Sequence, residues 1–253
     1  MSTFHGQTVD IWEDWEGALL GSLTLDSADG HLNDHDATKP YAGTYSASLS
    51  LTSSNTISRV YYGSQTLDSP FSLGFWYWSG TFAAWSGVYE VIRFLYASSG
   101  YQRSLVAGAS NNNSTPNQIA TYNDDGSARV VLSANTWYWV TMQWNKGSTC
   151  KCRVYNTSHA QVGSEFTWTA LNETVQSIAI GNCGGASAAS WATSVYFDDW
   201  VIDKTNALYP ILGWDVAGGG SVGGAILARF RRNHHEDRRM KIYNTLPWAL
   251  RRR

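Results

Sequence analysis

The stretch that decides the fold is residues 136–144, TWYWVTMQW, in which β-branched and aromatic residues follow one another without a charge. Similar stretches occur at residues 71–78 (FSLGFWYW), 88–96 (VYEVIRFLY) and 195–203 (VYFDDWVID). Such residues are enriched in β-strands, and clusters of Gly, Ser, Asn or Pro bound each stretch. Many strands at short spacing, with no long helical periodicity before residue 225, predict an antiparallel sandwich or barrel.

The composition is that of a folded, strand-rich domain. Of 253 residues, 43% are hydrophobic and 14% aromatic but only 15% charged, which argues against disorder and against a helical bundle. The sequence contains no run of about 18 apolar residues, the length that predicts a membrane-spanning helix. The first ten residues lack the basic and apolar regions of a secretory signal. We therefore expect no signal peptide and no membrane partner.

Charge divides the chain into an acidic body and a basic tail. Residues 1–228 hold nine basic and eighteen acidic residues, whereas residues 229–253 hold nine basic and two acidic ones. A glycine-rich stretch between them (AGGGSVGGA) is typical of a flexible joint. We predict a sandwich domain over residues 1–212, a linker over 213–225, and an anchoring tail over 226–253 that contains a short helix.

Five motifs, in this order, resemble concanavalin A-like and laminin G-like jelly rolls of the carbohydrate-binding-module type. They are residues 12–17 (WEDWEG), 41–49 (YAGTYSASL), 71–76 (FSLGFW), 132–140 (LSANTWYWV) and 196–203 (YFDDWVID). The resemblance implies a two-sheet antiparallel β-sandwich in which the first and last strands are adjacent. It does not specify a function, because lectins, hydrolases, lyases and structural modules all use this fold.

The same resemblance implies a structural calcium ion. In related modules an acid of the opening motif shares calcium with one of the closing Asp-Asp pair, and the matching residues here are Glu16, Asp198 and Asp199. Calcium prefers six to eight hard oxygen ligands, which carbonyls near Gly43 would help to supply. Successive strand residues point to opposite faces, so we expect at most one of the two aspartates to be a ligand. The alternative is that these acids cap turns or pair with basic residues.

The three cysteines do not predict a disulfide framework. We expect Cys150 and Cys152 to project to opposite faces of one strand, which disfavours a bond between them. Cys183 is the third, and an odd, sparse set is unlike that of a disulfide-framed secreted domain. We therefore predict free, partly buried thiols.

Catalytic motifs known on this fold are absent from the sequence. No strand carries the paired carboxylates of its glycoside hydrolases, and no Arg-x-Glu-x-Arg, Gln-x-His or Tyr-x-Lys motif resembles those of alginate-lyase-like members. A nucleophile elbow and a phosphate-binding loop are absent too. Asp68, Glu90 and Arg93 remain the acids and bases that a site would use. We predict that the chain is not an enzyme and keep a polysaccharide-active enzyme as the third possibility.

Aromatic residues suggest a carbohydrate-binding module as the alternative function, because sugar C–H groups stack on exposed rings. Trp85 and Trp191, both in loops of small residues, are the candidate glycan-binding residues. Strand alternation places Trp137, Trp139 and, with a slip in register, Trp144 near one face. That face is either core or a sugar platform.

Basic and apolar residues alternate in the tail, as in a segment that lies on a partner surface. The anchoring candidates are Arg229, Phe230, Arg231, Arg232, Arg238, Arg239 and Trp248. The acidic body of a neighbouring copy fits this segment better than nucleic acid or a membrane. By analogy with accessory virion proteins of tailed bacteriophages, we predict a homo-oligomeric virion component. It would be a capsid decoration or a tail-associated protein made in the host cytoplasm, with its sandwich displayed outward.

Overall fold

We describe a computed structural model that covers residues 2–20, 22–27, 32–51, 58–63, 65–80, 88–96, 100–108, 117–121, 129–183 and 193–214. The chain divides into two units, Met1–Asp215 and Val216–Arg253, and every described residue belongs to the first. All regular elements in this part are β-strands, which confirms the predicted all-β class. The described ranges contain no helix that is long and apolar enough to cross a membrane.

The strands form where the sequence is richest in β-branched and aromatic residues. In chain order they are β1 (Ser2–Phe4), β2 (Gln7–Val9), β3 (Ile11–Glu13), β4 (Leu23–Ser27), β5 (Leu32–Asp36), β6 (Ser46–Leu51), β7 (Ser58–Tyr62), β8 (Phe71–Ser79), β9 (Val88–Tyr96), β10 (Tyr101–Gly108), β11 (Gln118–Ala120), β12 (Arg129–Val131), β13 (Thr136–Trp144), β14 (Thr149–Asn156), β15 (Phe166–Thr169), β16 (Val175–Asn182) and β17 (Thr193–Asp203). The four stretches that predicted the fold are β8, β9, β13 and β17, to within two residues.

Two large antiparallel sheets form the sandwich. The eight-stranded sheet has the order β15-β14-β13-β8-β17-β6-β5, with β3 also paired to β17, and the seven-stranded sheet has the order β12-β11-β10-β9-β16-β7-β4. The pairing of β3 with β17 places the first and last motifs side by side, as the jelly-roll resemblance implies. The hairpin β1-β2 forms a separate two-stranded sheet.

Strand β8 is buried on both faces, which explains its unbroken apolar sequence. Alternate side chains enter the main core between the two sheets; they are Phe71, Leu73, Phe75 and Tyr77. On the opposite side Trp76 joins a second, smaller core with Trp139 of β13. The register between β8 and β13 is continuous, so Trp144 faces the main core, and the predicted slip in register is wrong.

The second core is closed by both ends of the described chain. Phe4 and Val9 of the hairpin and Ile211 cover the two tryptophans. The indole N–H of Trp139 donates to the carbonyl of Ile211 at 2.7 Å. Gln7 donates its amide to the carbonyl of Leu212 at 2.9 Å, which fastens the hairpin to the final segment. The outer face of the eight-stranded sheet is therefore largely covered, and the Trp139 side is core and not a sugar platform.

Candidate functional site

Glu16 and Asp198, two of the predicted calcium ligands, both bind residues 41–45, which we call the clamped loop. One oxygen of Asp198 accepts two backbone N–H groups at the start of this loop, at 2.9 and 3.1 Å. One oxygen of Glu16 accepts two at its end, at 2.6 and 2.8 Å. The four donors are Tyr41, Ala42, Thr44 and Tyr45. Three motifs that are distant in the sequence thus meet at one loop.

Asp199 lies beside Asp198 because β17 contains a β-bulge at this point. The register with β8 shifts between Asp198 and Val201, and Asp199 adopts a left-handed φ of 48°. The bulge turns both carboxylates to the outer side of the eight-stranded sheet, where Asp199 accepts the indole N–H of Trp12 at 2.8 Å. The prediction that the two aspartates face opposite ways is therefore wrong, since it assumed regular alternation.

The electrostatics of this region are those of crowded, buried acids. Burial, and then the neighbouring charge of Asp199, raise the pKa of Asp198 to about 8. Burial also raises the pKa of Glu13, which accepts the backbone N–H groups of Trp15 and Leu20 at 2.9 Å each. Backbone donors oppose both shifts because they stabilise the ionised forms.

The residues predicted to bind calcium already accept hydrogen bonds through their carboxylate oxygens. Asp198 uses both oxygens to accept backbone N–H groups, and only 1% of the residue is exposed. Among the described ranges, no group of three or more His, Cys, Asp or Glu side chains is placed to hold a metal ion. The carboxylates therefore act as turn caps here, which is the alternative that the sequence left open, and calcium stays a prediction.

Several predicted site residues lie outside the described ranges. They are the glycan candidates Trp85 and Trp191 and the anchoring residues Arg229, Phe230, Arg231, Arg232, Arg238, Arg239 and Trp248. The linker, the tail and its helix stay predictions for the same reason.

The three cysteines are buried and none of them forms a disulfide, as predicted, but the directions of Cys150 and Cys152 differ from the expectation. Cys150 and Cys152 both point into the main core, because residues two apart on a strand share a face. Burial raises the pKa of the Cys150 thiol to about 11. Cys183 is buried as well. These thiols are core residues.

The seven-stranded sheet carries a basic and aromatic row on its outer face, the side that faces away from the other sheet. Cross-strand register places Arg93, Ala179 and Tyr61 next to one another on β9, β16 and β7. Their chain neighbours enter the main core and include Ile92, Phe94, Ile178, Ile180, Val60 and Tyr62. Arg93 is 8% exposed, Ala179 is buried and Tyr61 is half-buried. Arg103 on β10 is the register partner of Arg93.

An arginine–aspartate pair flanks this row. Arg59 lies two positions before Tyr61 on β7, with its guanidinium 5.9 Å from the centre of that ring. The same guanidinium contacts the carboxylate of Asp26 on β4 at 3.1 Å. The side chain of Asp26 is 41% exposed and that of Arg59 only 14%, so the carboxylate is the accessible partner of this pair. We call Arg59, Tyr61 and Arg93 the arginine–tyrosine surface; it places two guanidinium groups, both largely enclosed, on the same sheet face as an aromatic ring.

The sequence suggested Arg93 together with Asp68 and Glu90, whereas its neighbours along the row are Ala179 and Tyr61. Asp68 instead pairs with Lys146, away from the sheet face. The row could not be read from the sequence because its members belong to strands that are far apart in the chain. One local signal was present, since Arg59 and Tyr61 are two apart on a strand and must share a face.

Comparison with known proteins supports the fold. No protein-family model and no curated protein matches the chain. Among solved structures, the cellulose-induced protein Cip1 aligns with a TM-score of 0.56 at 14% identity, covering 78% of this chain and 98% of that one. The endo-β-1,4-glucuronan lyase of the fungus Trichoderma reesei aligns with a TM-score of 0.54 at 14% identity, covering 78% and 96%. Peanut lectin has a TM-score of 0.48 at 8% identity, covering 76% and 95%. The alignments with Cip1 and the glucuronan lyase confirm the jelly-roll sandwich, and at these identities the similarity concerns the fold.

The prediction that the chain is not an enzyme is overturned, because a polysaccharide lyase shares its fold over most of both chains. The catalytic motifs on which that prediction rested lie within single strands. A search for motifs within single strands cannot detect residues that several strands bring together on one sheet face, as in the arginine–tyrosine surface. The virion role finds no support among these neighbours and stays a prediction.

Proposed function

We propose that the protein binds an acidic polysaccharide on the outer face of the seven-stranded sheet. The observation that carries this proposal is the arginine–tyrosine surface, in which half-buried Tyr61 lies between Arg59 on its own strand and Arg93 in its cross-strand row. Carbohydrate binding was the alternative function given by the sequence. The substrate class follows from the charge of the surface.

The chemistry of these side chains suits uronic acid units. A guanidinium offers planar, paired N–H donors that match a carboxylate. A tyrosine ring stacks against the C–H groups of a sugar, and its hydroxyl can bond to sugar hydroxyls. Neutral glucans need only the second feature. The arginines therefore favour an acidic chain, and glucuronan, which the fungal neighbour's name gives as its substrate, is the first compound to test.

The ion pair between Asp26 and Arg59 suggests how a ligand carboxylate would bind to Arg59. Its exposed carboxylate contacts Arg59 at 3.1 Å, in the position that a uronate carboxylate would take. Replacing this internal carboxylate by the ligand's own exchanges one ion pair for another, so Asp26 competes with the ligand. Removing its charge in an Asp26→Asn variant should strengthen binding by about threefold, whereas Arg59→Gln should weaken it by about three- to tenfold.

The test is a titration of glucuronan into the full-length protein, with cellulose oligosaccharide as the neutral comparison. Arg153→Gln is the matched control, because Arg153 also pairs with an acid (Glu165, 2.7 Å) and lies 5.4 Å from a tyrosine ring, but on the eight-stranded sheet. We expect binding that weakens with added salt, is reduced by Arg59→Gln and is unchanged by Arg153→Gln. Equal loss in both arginine variants, or tighter binding of the neutral sugar, would refute the proposal.

The same incubations test for cleavage. Elimination in a uronate polymer leaves a new unsaturated sugar end and a new reducing end in equal amounts, while hydrolysis leaves only the reducing end. Chain shortening with either product would add an enzymatic activity to the proposed binding. The virion role is a separate prediction that depends on residues 226–253 and is not part of this proposal.

A further inference from the structure

Gln118 has an unusual environment for an amide. Its residue is 1% exposed, yet neither its Nε2 nor its Oε1 has a hydrogen-bond partner in the part of the chain that the structure describes. The next residue, Ile119, enters the main core, so Gln118 points to the outer face of the seven-stranded sheet. A buried carboxamide without partners destabilises a folded protein, and such a group in a native structure calls for an explanation.

The neighbours of Gln118 on the same face complement it chemically. Its register partner on β12 is Val131, which is 52% exposed although it is apolar. Arg129, two residues earlier on β12, is half-buried and shares the outward face of Val131. On the other side the register partner is Gly108, which has no side chain. An enclosed polar group beside an exposed apolar one reverses the usual pattern of burial.

We propose that Gln118, Val131 and Arg129 form a second subsite for the acidic polysaccharide, at the β11–β12 end of the sheet. The carboxamide has both donors and an acceptor, so it can pair with adjacent sugar hydroxyls, which also donate and accept. Val131 covers the C–H face of the sugar, and Arg129 pairs with its carboxylate. Contact with the enclosed carboxamide requires neighbouring side chains to move apart.

This subsite rests on the proposed function but makes a separate claim about Gln118. The test compares Gln118→Met with Gln143→Met in the full-length protein, measuring melting temperature and the affinity for glucuronan. Gln143 is the matched control because its amide does have a partner, the carbonyl of Ala207 at 3.1 Å, and it lies on the other sheet. We expect Gln118→Met to keep or raise the melting temperature while weakening binding by about tenfold, the effect of one ordinary hydrogen bond. Gln143→Met should lower the melting temperature and leave binding unchanged.

The outcomes separate the two proposals. A Gln118→Met variant that melts earlier but binds glucuronan normally would show that the amide serves the fold, and would overturn the subsite even if Arg59→Gln weakens binding as expected. If the wild-type protein binds no glucuronan, both proposals fail. Loss of binding in Arg129→Gln, with the melting temperature preserved, would support the subsite through a second residue.

Discussion

Replacing Gly43 with alanine should destabilise the sandwich strongly, because two independent features of the clamped loop oppose a side chain there. Gly43 has a φ of +70°, a conformation that side-chain-bearing residues rarely adopt. A Cβ at this position would also lie 2.6 Å from the side-chain carboxyl carbon of Glu16. The carboxylate would have to move, and its two hydrogen bonds to the loop backbone would be lost.

The magnitude follows from these two effects. The left-handed backbone costs about 1–2 kcal/mol for alanine. The two charge-assisted hydrogen bonds, at an exposed carboxylate, add about 1–2 kcal/mol together. We expect a total of about 2–4 kcal/mol, which lowers the melting temperature of a unit of this size by about 2–4 °C per kcal/mol.

Two reference variants make this expectation testable by thermal or urea unfolding. Gly6→Ala isolates the backbone effect, since Gly6 has a φ of +76° and an added Cβ would meet nothing within 4 Å. Gly43→Ala in a Glu16→Ala background should cost only about 1–2 kcal/mol, the same as Gly6→Ala, because the clash and the hydrogen bonds are already absent. If Gly43→Ala costs the same with and without Glu16, the carboxylate does not hold the loop, and the reasoning is wrong.

Three further predictions concern the acids and the thiols. Because the pKa of Asp198 rises from 3.8 to about 8 in the folded state, the folded protein keeps a proton that the unfolded chain loses, so this group's contribution to stability should fall as pH rises between these values. Urea midpoints measured from pH 4 to 8 should show this decline and should flatten in Asp198→Asn; an unchanged slope would contradict it. If calcium binds at Glu16 and Asp198, millimolar calcium should raise the melting temperature more at pH 8 than at pH 6, since protons compete for the carboxylate, and no shift at either pH would exclude the site. A thiol reagent should label Cys150, Cys152 and Cys183 only after unfolding, and rapid labelling of the native protein would show that they are accessible.

The fold was predictable because local sequence determines most of it. The stretch at residues 136–144 became β13 with the same bounds, since its two faces enter two different cores and six of its nine residues are apolar or aromatic. The adjacency of the opening and closing motifs came from the resemblance and is confirmed by the pairing of β3 with β17.

The site was less predictable because it depends on irregularities and on register. Regular alternation failed at Asp199, where the bulge adds one residue and brings two acids to one face. No pattern in the sequence predicted that bulge. The arginine–tyrosine surface joins Arg59, Tyr61 and Arg93 only because β16 lies between β7 and β9. That strand order is a property of the whole chain and cannot be read from any one segment.

The fastening of Gln7 to Leu212 has a mechanical consequence. It consists of two side chain–backbone hydrogen bonds, with the amide donating to the carbonyl at 2.9 Å and the backbone N–H donating back at 3.3 Å. Trp214, just beyond, stacks on His159 with ring centres 4.3 Å apart. A pulling force applied between the hairpin and Trp214 would load these few contacts before it reached the long ladders of β17. The final segment would therefore separate from the hairpin before the ladders of β17 broke.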